Sequence, residues 1–333
     1  MNASSLTEQQ PHEAVWSLTN AVAAARSLHV VAEVGVADHI GTEPVGAEEL
    51  AAWTGADPDG LGRVLHLLAA HGIFAFEDGG FRHTPASEVL RSDHPTSMRA
   101  FARMMGLPGL ASTFARLDHS VFTGRPAIET VEPNGFWAYL RAHPEEARVF
   151  GEAMTAKARA DVAAVLDAFA FSAFETVADI GGGHGHLLYA VLEATPGIRG
   201  VLFDLPEVVA EVELRHERMT TRAGDFFVDE LPSADAYVLM EVLHDWTDDD
   251  CVQILRAIRK AASPGATLLV IESLLTEDGP DPRARTLDVI MLAVTGGRER
   301  TPTQLSDLLS QAGFSEGTVL ETAGRRLLEA RAT

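Results

Sequence analysis

The feature that most constrains this chain is a run of glycines set between a strand-forming and a helix-forming segment. Thr176–Ile180 is short and β-rich, and it runs into Gly181-Gly182-Gly183-His184-Gly185-His186. Leu187–Ala194 follows with helical character. Glycine turns sharply and has no side chain, so a ligand can approach the main chain there. Further β-rich runs alternate with helical stretches. Strands are expected at Gly200–Phe203, Ala236–Met240 and Thr267–Ile271, with another just before Ala223. Helices are expected at Pro206–His216, Asp249–Ala262 and Pro302–Ala312, the last with Leu305, Leu308, Leu309 and Ala312 on one face. This alternation predicts an α/β domain with a parallel sheet covered by helices on both sides. The closing segments, near Phe314–Leu320 and Arg325–Ala330, have no helix between them and predict an antiparallel pair at one edge.

The glycine spacing narrows the ligand. A dinucleotide fingerprint needs a third glycine or alanine three positions after the second. Counted from Gly181 and Gly183 that position is His186, and counted from Gly183 and Gly185 it is Leu188. Neither fits, which argues against NAD or FAD. No lysine follows the loop to hold a nucleoside triphosphate. Asp204 closes the next strand about 20 residues on, where an acid can accept from both ribose hydroxyls. It can equally cap a helix starting at Pro206. After the third strand comes Ala223-Gly224-Asp225-Phe226-Phe227. Asp225 can accept from an adenine amino group and Phe226 can cover its face, or Phe226 can belong to the core. Such groups at successive strand tips mark the edge where sheets of this kind bind ligands.

The first ~165 residues read as mainly helical. Trp16, Val22, Leu28 and Val31 lie in an alanine-rich amphipathic run, and Leu61, Val64, Leu65 and Leu68 follow a buried helix face. A short helix around Ala47–Thr54 precedes them. Gly72–Phe76, the turn Asp78-Gly79-Gly80 and Phe81–Thr84 then form a hairpin, completing a winged-helix pattern. Its charge argues against DNA. Ala47–Arg91 holds seven acids and three arginines, net −4, the wrong sign for a recognition helix. A packing or dimerisation role fits better. The aromatics Phe114, Phe136, Trp137, Tyr139 and Phe150 that follow read as core, or as an apolar wall for a flat ligand.

Length and charge bound the rest. At 333 residues the chain suits two domains. A net charge of −22 repels nucleic acid and anionic lipid, so the expected substrate is small and neutral or cationic. The single cysteine, Cys251, excludes an internal disulfide and a cysteine-rich zinc site. Met1–Gln10 has no secretory character, and no segment has the apolar length to span a bilayer. A cytoplasmic protein is expected, without a membrane or nucleic-acid partner.

Asp-x-Gly-Gly-Gly-x-Gly, Asp-Leu-Pro, Gly-Asp-Phe-Phe, His-Asp-Trp and Gly-Gly-Arg-Glu-Arg-Thr occur in that order from Asp179 to Thr301. Together they resemble the small-molecule O-methyltransferases of the plant caffeate type and their bacterial relatives that tailor polyketides and antibiotics. The resemblance is close over the second half and looser over the first. It implies a Rossmann-like class I methyltransferase domain at 171–333, a winged-helix-like dimerisation domain at 1–95 and a helical connector at 96–170. It implies S-adenosylmethionine as cofactor, held by Asp179, Gly181, Gly183, Asp204, Leu205, Gly224, Asp225 and Phe226. It also implies a homodimer, a small aromatic acceptor and no metal.

Strand four runs into Glu241-Val242-Leu243-His244-Asp245-Trp246. A histidine at a strand tip is the natural base at neutral pH for a phenolic proton. The resemblance supports that role for His244 and implies Glu272 and Glu299 as its orienting partners. It implies an acceptor pocket lined by Leu117, Phe150, Met154 and Met291. In one respect the chain departs from the plant enzymes: where they often carry lysine four residues before the base, it has Met240. Two alternatives share the fold. Metal-assisted C-methylation needs a second histidine near Met291–Gly296, where none occurs. A relative that uses the cofactor for decarboxylation or hydroxylation would usually lack the base.

Overall fold

The computed structural model describes residues 11–276, 279, 281–321 and 326–333. Met1–Gln10 and the expected strand start at Arg325 lie outside the described residues. The chain divides into two compact units, 1–111 with 140–157 and 112–139 with 158–333. No helix among the described residues is long and apolar enough to cross a membrane.

The first unit opens with the helix Pro11–Val34. Val31 and Ala32 are buried, but Trp16 is 64% exposed, Leu18 81% and Val22 71% in the single chain. The helices Ala47–Thr54 and Pro58–Ala70 follow, and Asp57 caps the second by accepting from the Gly60 amide at 2.8 Å. Strands β1 (Phe74–Glu77) and β2 (Gly80–His83) form an antiparallel hairpin. Its two-residue turn has Asp78 at φ 51° and Gly79 at φ 80°, the left-handed pair that matches strand twist. Val45 adds an isolated bridge to Phe81. Leu50, Leu61, Leu65, Leu68, Phe74 and Phe81 make the core, in the helix–helix–hairpin order read from the sequence.

The second unit is built on a seven-stranded sheet. Its strands are β3 (Thr176–Ile180), β4 (Arg199–Asp204), β5 (Met219–Ala223), β6 (Ala236–Met240), β7 (Thr267–Glu272), β8 (Thr318–Glu321) and β9 (Arg326–Arg331). They lie in the order β5-β4-β3-β6-β7-β9-β8. β3 to β7 are parallel, whereas β9 runs antiparallel to both β7 and β8, the expected edge pair. Alternate residues of one strand serve opposite layers. Tyr237 and Leu239 pack with Ile254, Leu255, Ile258 and Leu309, while Val238 packs with Leu188, Val191 and Leu192. Because β4 and β6 flank β3 on opposite sides, a crevice opens at the carboxyl ends of β3 and β6.

Two expectations change. The helix expected over Pro206–His216 is one turn, Pro206–Val209. Val208 and Val209 are weak helix formers, and Glu207 and Glu211 repel at i, i+4. Beyond that turn, the Tyr189 hydroxyl donates to the Glu213 carbonyl and accepts from the Arg215 amide, bonds that a continued helix would compete for. At the C-terminal edge, Phe314 makes only a bridge to Ala332, and the strand starts at Thr318.

Tyr237 ties the start of β6 to the preceding loop. Its buried hydroxyl donates to the Pro232 carbonyl and accepts from the Ala234 amide, both at 3.0 Å. Tyr237→Phe strands two buried backbone groups and should lower stability by about 1–3 kcal/mol in urea unfolding. An unchanged midpoint would show that water replaces the hydroxyl.

Candidate active site

Two acids, Asp179 buried and Asp204 half-buried, meet where β3 and β4 end. Gly181 and Gly183 have φ of 69° and 58°, in the left-handed region that disfavours side chains, and Gly183 faces open space. The Gly183 amide donates to Asp204 Oδ2 at 2.8 Å, and the Leu205 amide to Oδ1 at 2.7 Å. Asp204 therefore bridges two strand tips, and the N-cap position of the following turn falls on Leu205, with no side-chain cap from either residue. Burial raises the Asp204 pKa, against the pull of its two amide partners. Asp179 is 1% exposed, and neither of its carboxylate oxygens has a hydrogen-bond partner. Burial, reinforced by the nearby Asp204 charge, pushes it up to about 7. An unpartnered acid beside a second one is a site prepared for positive charge.

The tip of β5 adds an aromatic edge. The Gly224 amide donates to the Asp204 carbonyl at 2.9 Å. Asp225 Oδ1 accepts from the Phe227 amide at 2.9 Å, which fixes the turn. Phe226 is half-buried, with its ring edge-on to Phe227 and Trp246 at 4.9 and 5.7 Å. It packs against the core and keeps an accessible side.

The third part lies beyond β6. Glu241 has φ 54°, unusual for a residue with a side chain, and its amide donates to the Ile271 carbonyl at 2.9 Å. The single 3-10 turn Leu243–Asp245 carries His244, which is buried. Its Nδ1 lies 2.9 Å from Glu299 Oε1 and 3.5 Å from Glu272 Oε2. Nε2 is 3.8 Å from Asp245 Oδ1, beyond hydrogen-bond reach. Glu272 Oε1 accepts from the Val242 and Leu243 amides at 3.2 and 2.9 Å, so β7 holds the turn that bears the histidine.

Burial alone would lower the His244 pKa. The Glu272, Asp245 and Glu299 carboxylates outweigh it and raise it to about 10. Glu272 is raised by its own burial, with His244 opposing and Glu299 and Glu241 adding. A proton on Glu272 weakens its pull on His244, so the cluster titrates as a unit. His244, Glu272 and Glu299 each offer a donor atom within 4.8 Å of the others, a spacing compatible with a cation. The direct His244–Glu299 bond already satisfies the nearest pair with a proton.

The four expected acceptor residues fall in different units. Leu117 starts the helix Leu117–Thr123, and Met291 is buried in Pro282–Val294, which packs against that helix in the second unit. Phe150 and Met154 lie four residues apart on the helix Pro144–Ala168, in the stretch assigned to the first unit. Sequence reasoning gave no role to Asp288 or Gly297. Asp288 Oδ1 accepts from the Glu299 amide at 3.1 Å and fixes the segment that carries the glutamate. A Cβ on Gly297 would lie 2.0 Å from the His244 carbonyl, so that segment touches the histidine turn backbone to backbone. The Gly-Gly pair was a visible signal, but Asp288 had none. Burial pushes the Cys251 thiol up to about 12, so it stays a neutral neighbour of the turn.

Residues 114–315 match the O-methyltransferase domain, and residues 16–93 match the O-methyltransferase dimerisation domain. The chain belongs to the O-methyltransferase family. It is 40% identical to the phenazine O-methyltransferase PhzM of Lysobacter antibioticus, over 92% of each chain. The human N-acetylserotonin methyltransferase, solved in complex with S-adenosylmethionine, superposes with a TM-score of 0.90 at 31% identity over 99% of each chain. The O-methyltransferase of neocarzinostatin biosynthesis, solved with S-adenosylmethionine and 2-hydroxy-5-methyl naphthoic acid, gives 0.81 at 32% identity, over 93% of this chain and 96% of that one. The protein is an O-methyltransferase with S-adenosylmethionine as its cofactor.

Asp179 should carry a stability cost in the cofactor-free enzyme. Its folded pKa lies above the unfolded 3.8, so the cost is absent below pH 3.8, builds from there to about 7 and is complete above that. The displacement corresponds to at most about 4 kcal/mol. Asp179→Asn should raise the cofactor-free Tm at pH 8 and change it little at pH 4. A Tm unchanged or lowered at pH 8 would contradict this.

Proposed function

We propose that this enzyme methylates a phenolic hydroxyl of a small aromatic metabolite, with His244 as general base. The observation that carries the reading is the 2.9 Å bond between His244 Nδ1 and Glu299. Donation from Nδ1 orients the ring, so that in its neutral form Nε2 carries the lone pair that takes a proton. Glu272, the second expected partner, holds the turn by its amides and adds charge at Nδ1. A phenol has a pKa near 10, so an ordinary histidine at about 6.5 would face a transfer uphill by roughly 5 kcal/mol. The surrounding carboxylates bring His244 to about 10, which removes most of that gap but leaves only a small fraction of the ring neutral at pH 7, so turnover should rise as the pH climbs toward 10.

S-adenosylmethionine, when bound, supplies a methyl group already activated on a sulfonium. Asp179 suits a cationic part of it, being buried and unpartnered. Asp204 would accept from the ribose hydroxyls with Leu205 beside it. Asp225 and Phe226 would take the adenine, and Gly181, Gly183 and Gly224 let the main chain close on it. Leu117 and Met291, in the second unit, would line the acceptor site with apolar and thioether surface suited to an aromatic ring. The acceptor class follows the phenazine and naphthoate enzymes the chain resembles. The intact His244–Glu299 pair favours this reading over C-methylation and over decarboxylation or hydroxylation. A second copy of the chain would cover Trp16, Leu18 and Val22, whose exposure in one chain is costly.

The test is transfer of labelled methyl to a panel of phenols, naphthols and hydroxyphenazines. His244→Ala should lower kcat by about 100-fold or more, with calorimetric affinity for the cofactor unchanged. Full turnover in that variant would remove His244 as base. Asp204→Ala should weaken cofactor binding by about 10-fold or more; wild-type affinity would end its ribose role.

Stability gives a separate check. Folding raises the His244 pKa above 6.5, so its stabilising contribution is complete below pH 6.5 and is lost as the pH climbs through about 10. The Tm of the cofactor-free protein should fall over that range, and His244→Gln should flatten the slope. Equal slopes would show that the ring is not held protonated.

A further inference from the structure

Arg300 follows Glu299 in the chain and is 3% exposed, yet the chemistry above makes no use of it. Its guanidinium makes a fork across the turn that bears the base. Nη1 donates to the Leu243 carbonyl at 2.8 Å and Nη2 to the Trp246 carbonyl at 2.7 Å. Those carbonyls bracket His244 in the chain. Nε donates to Asp248 Oδ1 at 2.9 Å, and Nη2 lies 2.8 Å from the same oxygen. The Cys251 thiol donates to the Leu243 carbonyl as well, at 3.2 Å.

The turn needs such a brace. A single 3-10 turn has poor internal hydrogen bonding, and this one follows a residue with a side chain at φ 54°. Its buried carbonyls require donors. A guanidinium presents several N–H groups in one rigid plane and can serve both ends of the turn at once, which a lysine ammonium cannot reproduce. Arg300 and Glu299 are also neighbours on one backbone segment. That segment lies against the His244 carbonyl at Gly297. The group that orients the imidazole and the group that brackets its turn are thereby held in one frame.

We propose that Arg300 is a positioning residue for methyl transfer, whose forked contact with the Leu243 and Trp246 carbonyls fixes the direction of His244 Nε2. The proposal rests on the reading of His244 as base.

Three variants and one double variant test it, assayed with the best acceptor from the phenol panel. Arg300→Lys keeps the charge and loses the fork. Its kcat should fall by about 10- to 100-fold, the scale of a misplaced catalytic group. Its cofactor Kd should stay within about twofold of wild type, because the cofactor loop is built on other strands. Asp248→Ala removes a carboxylate that is 57% exposed, releasing Nε and one contact of Nη2 while leaving both carbonyl contacts of the fork in place. It should lose about two- to fivefold in kcat with cofactor affinity unchanged. Arg300→Lys added to His244→Ala should cost nothing further, since a residue acting through His244 has nothing left to position.

Wild-type kcat in Arg300→Lys would overturn the proposal while leaving His244 as base. So would a double variant that loses as much again as Arg300→Lys loses alone, which marks a general structural role. Should Arg300→Lys fail to bind cofactor through misfolding, Asp248→Ala decides: reduced kcat at normal affinity supports the proposal and unchanged kcat overturns it. Full activity in His244→Ala would overturn both the base and the positioning role.

Discussion

The second unit is organised around carboxylates that are held out of water at the carboxyl edge of its sheet. Asp179, Glu272 and Glu299 are buried there and Asp204 is half-buried. An isolated ionised carboxylate in an apolar setting is costly, so each must find a donor, a cation or a proton. Glu272 takes two backbone amides, Glu299 takes His244, and Asp204 takes the amides of Gly183 and Leu205. Asp179 takes none. That imbalance separates the groups whose work is internal from the one that waits for a ligand.

The same economy of donors explains the shapes of the loops. Glu272 holds two amides of the turn after β6, which places His244 against it and against Glu299. The left-handed Glu241 lets the chain leave β6 in that direction. On the other side of the crevice, Gly183 points its amide at Asp204 and leaves open space where a side chain would stand. One edge of the sheet thus holds a surface prepared for positive charge beside a base made strong by negative charge. Stability and function pull in opposite directions at Asp179, whereas at His244 the ion pairs that raise the pKa stabilise the folded chain.

Much of this was legible in the sequence. The bounds of β3 and β6 follow from short β-rich runs, and those two strands define the crevice. The glycine loop, Asp204 and His244 stand out because each sits at the end of such a run. The helix expected over Pro206–His216 was not legible, because a tertiary bond from Tyr189 competes with its local pattern. Trp16 and Val22 followed a helical period correctly, but the period cannot say whether the covering surface is this chain or another. Asp288, Gly297 and Arg300 act through partners 11 to 57 residues away along the chain, and no local pattern announces a hydrogen bond to a distant carbonyl.

By itself the sequence determined the layered α/β class of the second unit, the position of the ligand-binding edge and the presence of an imidazole on it. These depend on periodicity and on backbone permissiveness, which neighbouring residues set. The tertiary structure alone decided how basic that imidazole is and which way it faces. Both are electrostatic and geometric properties of groups brought from β7 and from the Gly297–Arg300 segment. Such groups act on His244 through space, at distances of about 3 Å that only the folded sheet creates.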